Sequence, residues 1–127
     1  MKRELNIVVN GESYNLFIEP KTLLVQVIRE MLGMKGTHQA CDSSSCAACT
    51  VIVEGKAVKS CSILALQATG KEVPTLEGLA DGTNLHPIQQ AFIDNWAFQC
   101  GFCTSGQIMA AKALLDRGSH PATLWLP

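Results

Sequence analysis

The sequence has no apolar run of membrane-spanning length, which would need about 20 consecutive apolar residues. It has no basic cluster, and its net charge is −1; a general nucleic-acid binder needs a concentrated positive face to neutralise phosphates. The opening MKRELNIVVNGE lacks the continuous apolar core and small-residue cleavage site of a secretory signal. That points to the cytoplasm, where thiols stay reduced. There is no internal repeat and no low-complexity segment. A phosphate-cradling loop, a nucleophile–base pair and paired carboxylates are all missing, so no bond-making chemistry stands out.

The chain does have six cysteines among 127 residues. In a reducing compartment these point to metal or redox chemistry rather than to a disulfide framework. Hydrophobic residues make up 47%, enough for a buried core and against disorder. The length suits one ordinary domain or two small ones.

Along the chain, LNIVVNGESYNLFIE reads as a hairpin. Leu5, Ile7 and Val9 alternate with polar or outward positions, Asn10-Gly11 is a two-residue turn, and Tyr14, Leu16 and Ile18 continue the alternation. KTLLVQVIREMLGMKG then predicts a helix capped by Thr22 and stopped at Gly33, with Leu24, Val27, Ile28, Met31 and Leu32 inward. Met31 and Met34 read as core filling. TVIVEGKAVKS predicts a second hairpin turning at Glu54-Gly55-Lys56, followed by a helical turn within Ser62 to Ala68 and a short strand in KEVPTLEGL. Together they make a small α+β roll with one helix packed on a mixed sheet, over residues 1–76.

The texture changes after Gly78. NLHPIQQAFIDNWAFQ predicts a helix with Asn84 as cap, Pro87 in the first turn, and Ile88, Ala91, Phe92 and Trp96 on one face. CTSGQIMAAKALLDRGSH predicts another, with Thr104 and Gln107 as a capping box and Gly118 at its end. The tail PATLWLP shows no periodicity. Two such helices cannot close a core alone; they need the first unit, further helices or a partner.

The cysteines carry the chemistry. Cys41, Cys46 and Cys49 stand at x4 and x2 spacing, and Cys61 follows after eleven residues. This is the plant-type [2Fe–2S] spacing. Each iron of a two-iron cluster takes two thiolates. A short irregular loop can supply three sulfurs and aim its N–H groups at them, while the fourth sulfur comes from another segment. Small residues at Ser43, Ser44, Ser45, Ala47 and Ala48 let the backbone approach closely. A zinc site from Cys46-x2-Cys49 and Cys100-x2-Cys103 is the alternative, and it leaves Cys41 and Cys61 without a role. A thioredoxin-like dithiol lacks its βαβ context. Cys100-Gly101-Phe102-Cys103, between the two late helices, is a weaker signal: half of a metal site, a redox pair or two buried thiols. His38, His86 and His120 do not group with the cysteines at ligand spacing and read as surface or cap residues. Asp42 and Glu54 read as solvated charges.

The run from Cys41 to Leu79, followed by HPIQQAFIDNWAFQCGFCTSGQIMAAKALL, resembles the small iron–sulfur subunit of the bacterial molybdenum hydroxylases. These are the aerobic carbon monoxide dehydrogenase and xanthine dehydrogenase type. The resemblance implies a β-grasp ferredoxin-like domain over residues 1–76, with Cys41, Cys46, Cys49 and Cys61 on one [2Fe–2S] cluster. It implies that residues 77–127 are the first half of an all-α, four-helix-type domain, with Cys100 and Cys103 on a second cluster and Gln99 against the molybdopterin. The function implied is one-electron relay, from a large molybdopterin subunit to a medium, FAD-binding subunit. The family's further C-x-C motif has no counterpart before Pro127, so the chain is expected to be C-terminally shortened, with one complete cluster site and half of a second. The family favours glycine where this chain has Ala40, Ser44 and Ala47, and proline where it has Ser105. A required positive φ at any of the first three costs on the order of 1 kcal/mol or more. The rival reading is a zinc-stabilised or cluster-free interaction module exposing Phe92, Trp96 and Trp125. A third reading is a thiol–disulfide protein using Cys100 and Cys103.

Overall fold

The structure, a computed structural model, describes residues 1–41 and 43–117. It is a mixed α+β arrangement. β1 (Arg3–Val9) and β2 (Glu12–Ile18) form an antiparallel hairpin in which Leu5 faces Leu16 and Ile7 faces Tyr14. Asn10 and Gly11 turn it with φ of 53° and 85°, a pair of positive dihedrals that matches the strands' twist. Leu5, Ile7, Val9 and Ile18 are fully buried, as the alternation predicts, while Tyr14 and Leu16 are half-buried.

The helix that follows is short. α1 (Leu24–Gln26) passes directly into a π-helical stretch, Val27–Met31, closed by the Leu32 N–H on the Val27 carbonyl at 2.9 Å. Its cap is Leu23, not Thr22: the Gln26 amide oxygen accepts from the Leu23 N–H at 2.8 Å, and the Thr22 carbonyl is taken instead by the Ala65 N–H. The wider π turn displaces the inward stripe, so Leu24, Val25, Val27 and Ile28 are buried but Met31 is 49% exposed. Met31 is therefore not core filling; Met34 does pack on the core.

β3 (Thr50–Val53) and β4 (Lys56–Lys59) form the second hairpin, turned by Glu54 and Gly55. Two 3₁₀ turns follow, Ser60–Ser62 and Ala65–Ala68. β5 (Glu72–Val73) pairs in parallel with β1, giving the sheet order β2-β1-β5. The Ile52 N–H on the Pro74 carbonyl, at 3.2 Å, ties the second hairpin to the end of β5. The main core lies between the first sheet, α1 and β3, and includes Leu5, Ile7, Leu24, Ile28, Val51 and Val73.

α2 (Pro87–Asp94) starts later than the Asn84 cap predicts. His86 caps it: its Nδ1 accepts from the Ile88 N–H at 3.1 Å, and Gln89 accepts from the His86 N–H at 3.0 Å. Asn84 is engaged in a bridge with Asp81. The helix stops before Trp96, which has φ of 52° and is 81% exposed rather than on the inward face; Ala91 is also exposed, and only Ile88 is buried. α3 (Thr104–Asp116) has Cys103, not Thr104, at its N-cap position, and the Cys103 side chain makes no capping hydrogen bond. Met109 and Ala113 of α3 bury themselves against Ile52 of β3, with Leu76 and Leu79 at the edge. Thus β3 supplies the buried surface that α3 could not close by itself. Among the described residues, no helix is long and apolar enough to cross a membrane. Asp42, Gly118, His120 and Trp125 lie outside the described residues.

Candidate metal centre

The loop from Ala40 to Cys49 joins the helical turn to β3, and β4 delivers Cys61. Antiparallel pairing sets Thr50 opposite Lys59, so the strand ends bring Cys49 beside the turn that carries Cys61. Ser60 fastens them: its N–H and its hydroxyl both donate to the Cys49 carbonyl, at 3.3 and 2.6 Å. Thr50 does the same for the Ala47 carbonyl, by N–H at 3.2 Å and hydroxyl at 2.7 Å.

The sulfurs receive backbone N–H groups. The Cys46 N–H points to the Cys41 sulfur, the Ala48 N–H to the Cys46 sulfur and the Cys61 N–H to the Cys49 sulfur, each at 3.4 Å. The Ser62 hydroxyl lies 3.5 Å from the Cys61 sulfur and also meets the Ser44 hydroxyl. The Lys59 ammonium donates to the Ser44 carbonyl. Ser44 and Ala47 adopt φ of 65° and 59°, whereas Ala40 does not adopt a positive φ. Two of the three positions where glycine was expected therefore carry the left-handed strain, about 1–2 kcal/mol each for an L-residue. The loop so turned places the N–H groups of Cys46 and Ala48 on cysteine sulfurs, a form that suits an anionic centre.

The thiols differ in charge state. N–H donation to Cys41, led by Cys46 and helped by Ser43 and Ser45, lowers its pKa to about 6. Burial raises that of Cys49, which is 1% exposed. All six cysteines are free thiols. Cys41 contacts Cys46, and Cys49 contacts Cys61, so the thiols form two pairs. Among the described residues, no three of His, Cys, Asp and Glu converge as on a single metal ion. Cys46 and Cys49 are thus not brought together with Cys100 and Cys103 on one zinc. Two pairs of thiols with donors on their sulfurs match the two-thiolates-per-iron demand of a binuclear cluster.

Cys100 and Cys103 lie between α2 and α3 beside a cavity of about 440 Å³ that Gln99, Trp96 and Gln107 also line. Cys100 is exposed and Cys103 half-buried. Gln107, expected in a capping box with Thr104, donates its amide to the Cys103 sulfur at 3.5 Å instead.

Three contributors were not legible as site residues. Gly106 sits where helix α3 meets the first cysteine loop: a β-carbon there would come within 2.9 Å of the Ala48 backbone and closer still to the Ala47 carbonyl. A glycine inside a helical pattern is the signal that could have found it. His38 reaches across to Phe102, between Cys100 and Cys103, with its Nδ1 at 2.7 Å from the Phe102 carbonyl. Lys59, with no distinguishing spacing, is found only by the fold.

Comparison with known proteins agrees with this chemistry. Residues 7–78 match the family described as 2Fe-2S iron-sulfur cluster binding domain, and residues 75–124 match the [2Fe-2S] binding domain family. The chain is 46% identical over 109 residues to the xanthine dehydrogenase iron-sulfur-binding subunit of Escherichia coli O157:H7, covering 86% of this chain and 68% of that one. It is 45% identical over 111 residues to the aldehyde oxidoreductase iron-sulfur-binding subunit PaoA of Escherichia coli K12, covering 87% of this chain and 48%, about half, of the relative. Among solved structures, quinoline 2-oxidoreductase from Pseudomonas putida 86 superposes with a TM-score of 0.86 at 34% identity, over 91% of this chain and 72% of that one.

Proposed function

We propose a function from one premise, that this chain belongs to the small iron–sulfur subunits of the molybdenum hydroxylases: it relays electrons within an oxidoreductase complex and performs no bond chemistry itself. The single observation that carries the reading is the arrangement of four thiols as two pairs, with backbone N–H groups on three of the four sulfurs.

Cys41, Cys46, Cys49 and Cys61 would hold a [2Fe–2S] cluster, which when bound takes up and releases one electron at a time. The chain's own residues set the terms of that exchange. N–H groups of Cys46, Ala48 and Cys61 stabilise negative charge on sulfur, and so favour the reduced state. Burial of Ala48 and Cys49 keeps water from one side of the centre. The low pKa of Cys41 supplies a thiolate at neutral pH to begin metal capture. Cys100 and Cys103 would contribute two thiolates to a second centre, with the Gln107 amide on Cys103 and Gln99 toward a molybdopterin. In this reading residues 1–76 are the β-grasp ferredoxin-like unit and residues 77–127 belong to a helical [2Fe–2S] unit. The partners are one protein carrying molybdopterin and one binding FAD, and the site of action is the cytoplasm.

The test is anaerobic reconstitution followed by iron and acid-labile sulfide counting and spectroscopy of the reduced protein. About two irons per chain at the first site, with a reduced-state paramagnetic signal, is expected. Fewer irons with no such signal, or one equivalent of zinc with no visible absorption, overturns the reading.

A further inference from the structure

Resting on the relay reading, and on the first cysteine group alone, we propose that Lys59 is a positioning residue of that centre. Its ammonium holds Ser44 in the left-handed conformation, and it keeps one fixed positive charge beside the centre that takes up the electron.

Among the described residues, the loop from Cys41 to Cys49 holds two non-glycine residues in the left-handed region, Ser44 at φ of 65° and Ala47 at 59°. Such conformations persist only where the surroundings over-determine them. Both residues are held through their carbonyls, by the two members of one cross-strand pair. Thr50 of β3 faces Lys59 of β4. Thr50 takes the Ala47 carbonyl, with its N–H at 3.2 Å and its hydroxyl at 2.7 Å. The Lys59 ammonium donates to the Ser44 carbonyl. One rung of the second hairpin thus grips the loop at both strained points. Ser44 is tied again by Ser62, whose hydroxyl meets the Ser44 hydroxyl and lies 3.5 Å from the Cys61 sulfur.

The same contact fixes a charge. Lys59 is half-buried, and its ammonium meets a neutral carbonyl, which orients the charge without cancelling it. The backbone of Lys59 stands two residues before Cys61, and Ser44 stands between Cys41 and Cys46. The side chain therefore spans two segments that both carry thiols of this centre. Backbone N–H groups on the sulfurs of Cys41, Cys46 and Cys49 supply partial positive charges; Lys59 supplies a whole one. An added electron makes the centre more negative, so a cation held beside it favours electron uptake. Partial burial limits the salt screening that a free surface lysine would meet.

The experiment uses the full chain in wild-type form and as Lys59→Met, Lys59→Gln and Lys59→Arg. Methionine keeps an unbranched stem but neither the charge nor the donor; arginine keeps both. In the metal-free chain, amide hydrogen exchange at Cys46 and Ala48 should rise several-fold in Lys59→Met and stay at wild type in Lys59→Arg, with exchange in the β1–β2 hairpin unchanged. In the reconstituted chain, at fixed pH and low salt, the midpoint potential of the first centre should fall in Lys59→Met and Lys59→Gln and hold in Lys59→Arg. The fall corresponds to a loss of up to about tenfold in the electron-uptake constant, about 59 mV for one electron. Lys59→Gln stands in where Lys59→Met does not fold. Wild-type exchange or a wild-type midpoint in the neutral variant overturns the proposal, as does a Lys59→Arg variant that behaves like it. A wild-type chain that binds no iron overturns the relay reading instead, and the exchange arm still decides whether Lys59 holds the loop.

Discussion

Gly106, in the first turn of α3, and Ala47, in the cysteine loop, are in backbone-to-backbone contact: a β-carbon on Gly106 would collide with the Ala47 carbonyl and stand 2.9 Å from the Ala48 Cα. The colliding atoms are backbone, and that carbonyl is already held by the N–H and hydroxyl of Thr50. No rotamer change can relieve the overlap.

Gly106→Ala is therefore expected to destabilise the chain by about 1–3 kcal/mol, the range for forced overpacking, and to lower iron uptake at the first site although no ligand is touched. Urea unfolding of the metal-free chain gives the first quantity and iron counting after reconstitution the second. A variant with wild-type values for both would show that the helix and the loop are not in contact.

Ala47→Gly has the opposite sign. Ala47 holds φ of 59°, at a cost of about 1–2 kcal/mol that glycine does not bear. Glycine's greater freedom in the unfolded chain offsets about 0.4–1 kcal/mol of this, leaving a net gain of up to about 1.6 kcal/mol by thermal or urea unfolding. Ser44→Gly should gain less, because Ser44 also loses its hydroxyl contact with Ser62.

Thiol reactivity in the metal-free chain should separate by pH. With its pKa lowered to about 6 by N–H donation from Cys46, Cys41 is ionised above that pH and its alkylation should plateau by neutrality. Cys49, raised by burial, should still be accelerating at about pH 9, beyond the ordinary thiol range. The folded-state depression at Cys41 favours folding above the ordinary thiol pKa, and that contribution fades as the pH falls through about 6. Alkylation rates for the two cysteines with the same pH midpoint would contradict this.

Ser105 lies in the first turn of α3, and its hydroxyl is buried with no hydrogen-bond partner among the described residues. Leaving such a donor unpaired costs about 1–3 kcal/mol. Ser105→Ala should accordingly raise the urea midpoint by an amount worth about 1 kcal/mol or more, with the denaturant slope unchanged.

Single-ligand replacements distinguish the two cysteine groups. Cys41→Ser and Cys61→Ser should each abolish the stable cluster signal of the first site, whereas Cys100→Ser and Cys103→Ser should leave it intact. Loss of that signal in Cys100→Ser would mean that the two groups share one centre.

The sequence alone determined those features that depend on neighbours along the chain. The x4/x2 spacing of Cys41, Cys46 and Cys49 is local chemistry. So is the positive-φ turn at Asn10-Gly11, and the alternation that buries Leu5, Ile7 and Val9 needs only a strand with one wet face. Helix caps were less legible, because Thr22, Asn84 and Thr104 each had a competing partner or a neighbour better placed, and His86 and Cys103 took two of the positions. The tertiary structure alone decided which thiols pair, since strand register sets Cys49 beside Cys61. It also decided that Ser44 and Ala47 bear the strain, that Gly106 meets Ala47, and that His38 reaches Phe102 across 64 residues of sequence. Each is a contact between distant segments. Its geometry follows from how β3, β4 and α3 pack together, which no local pattern encodes.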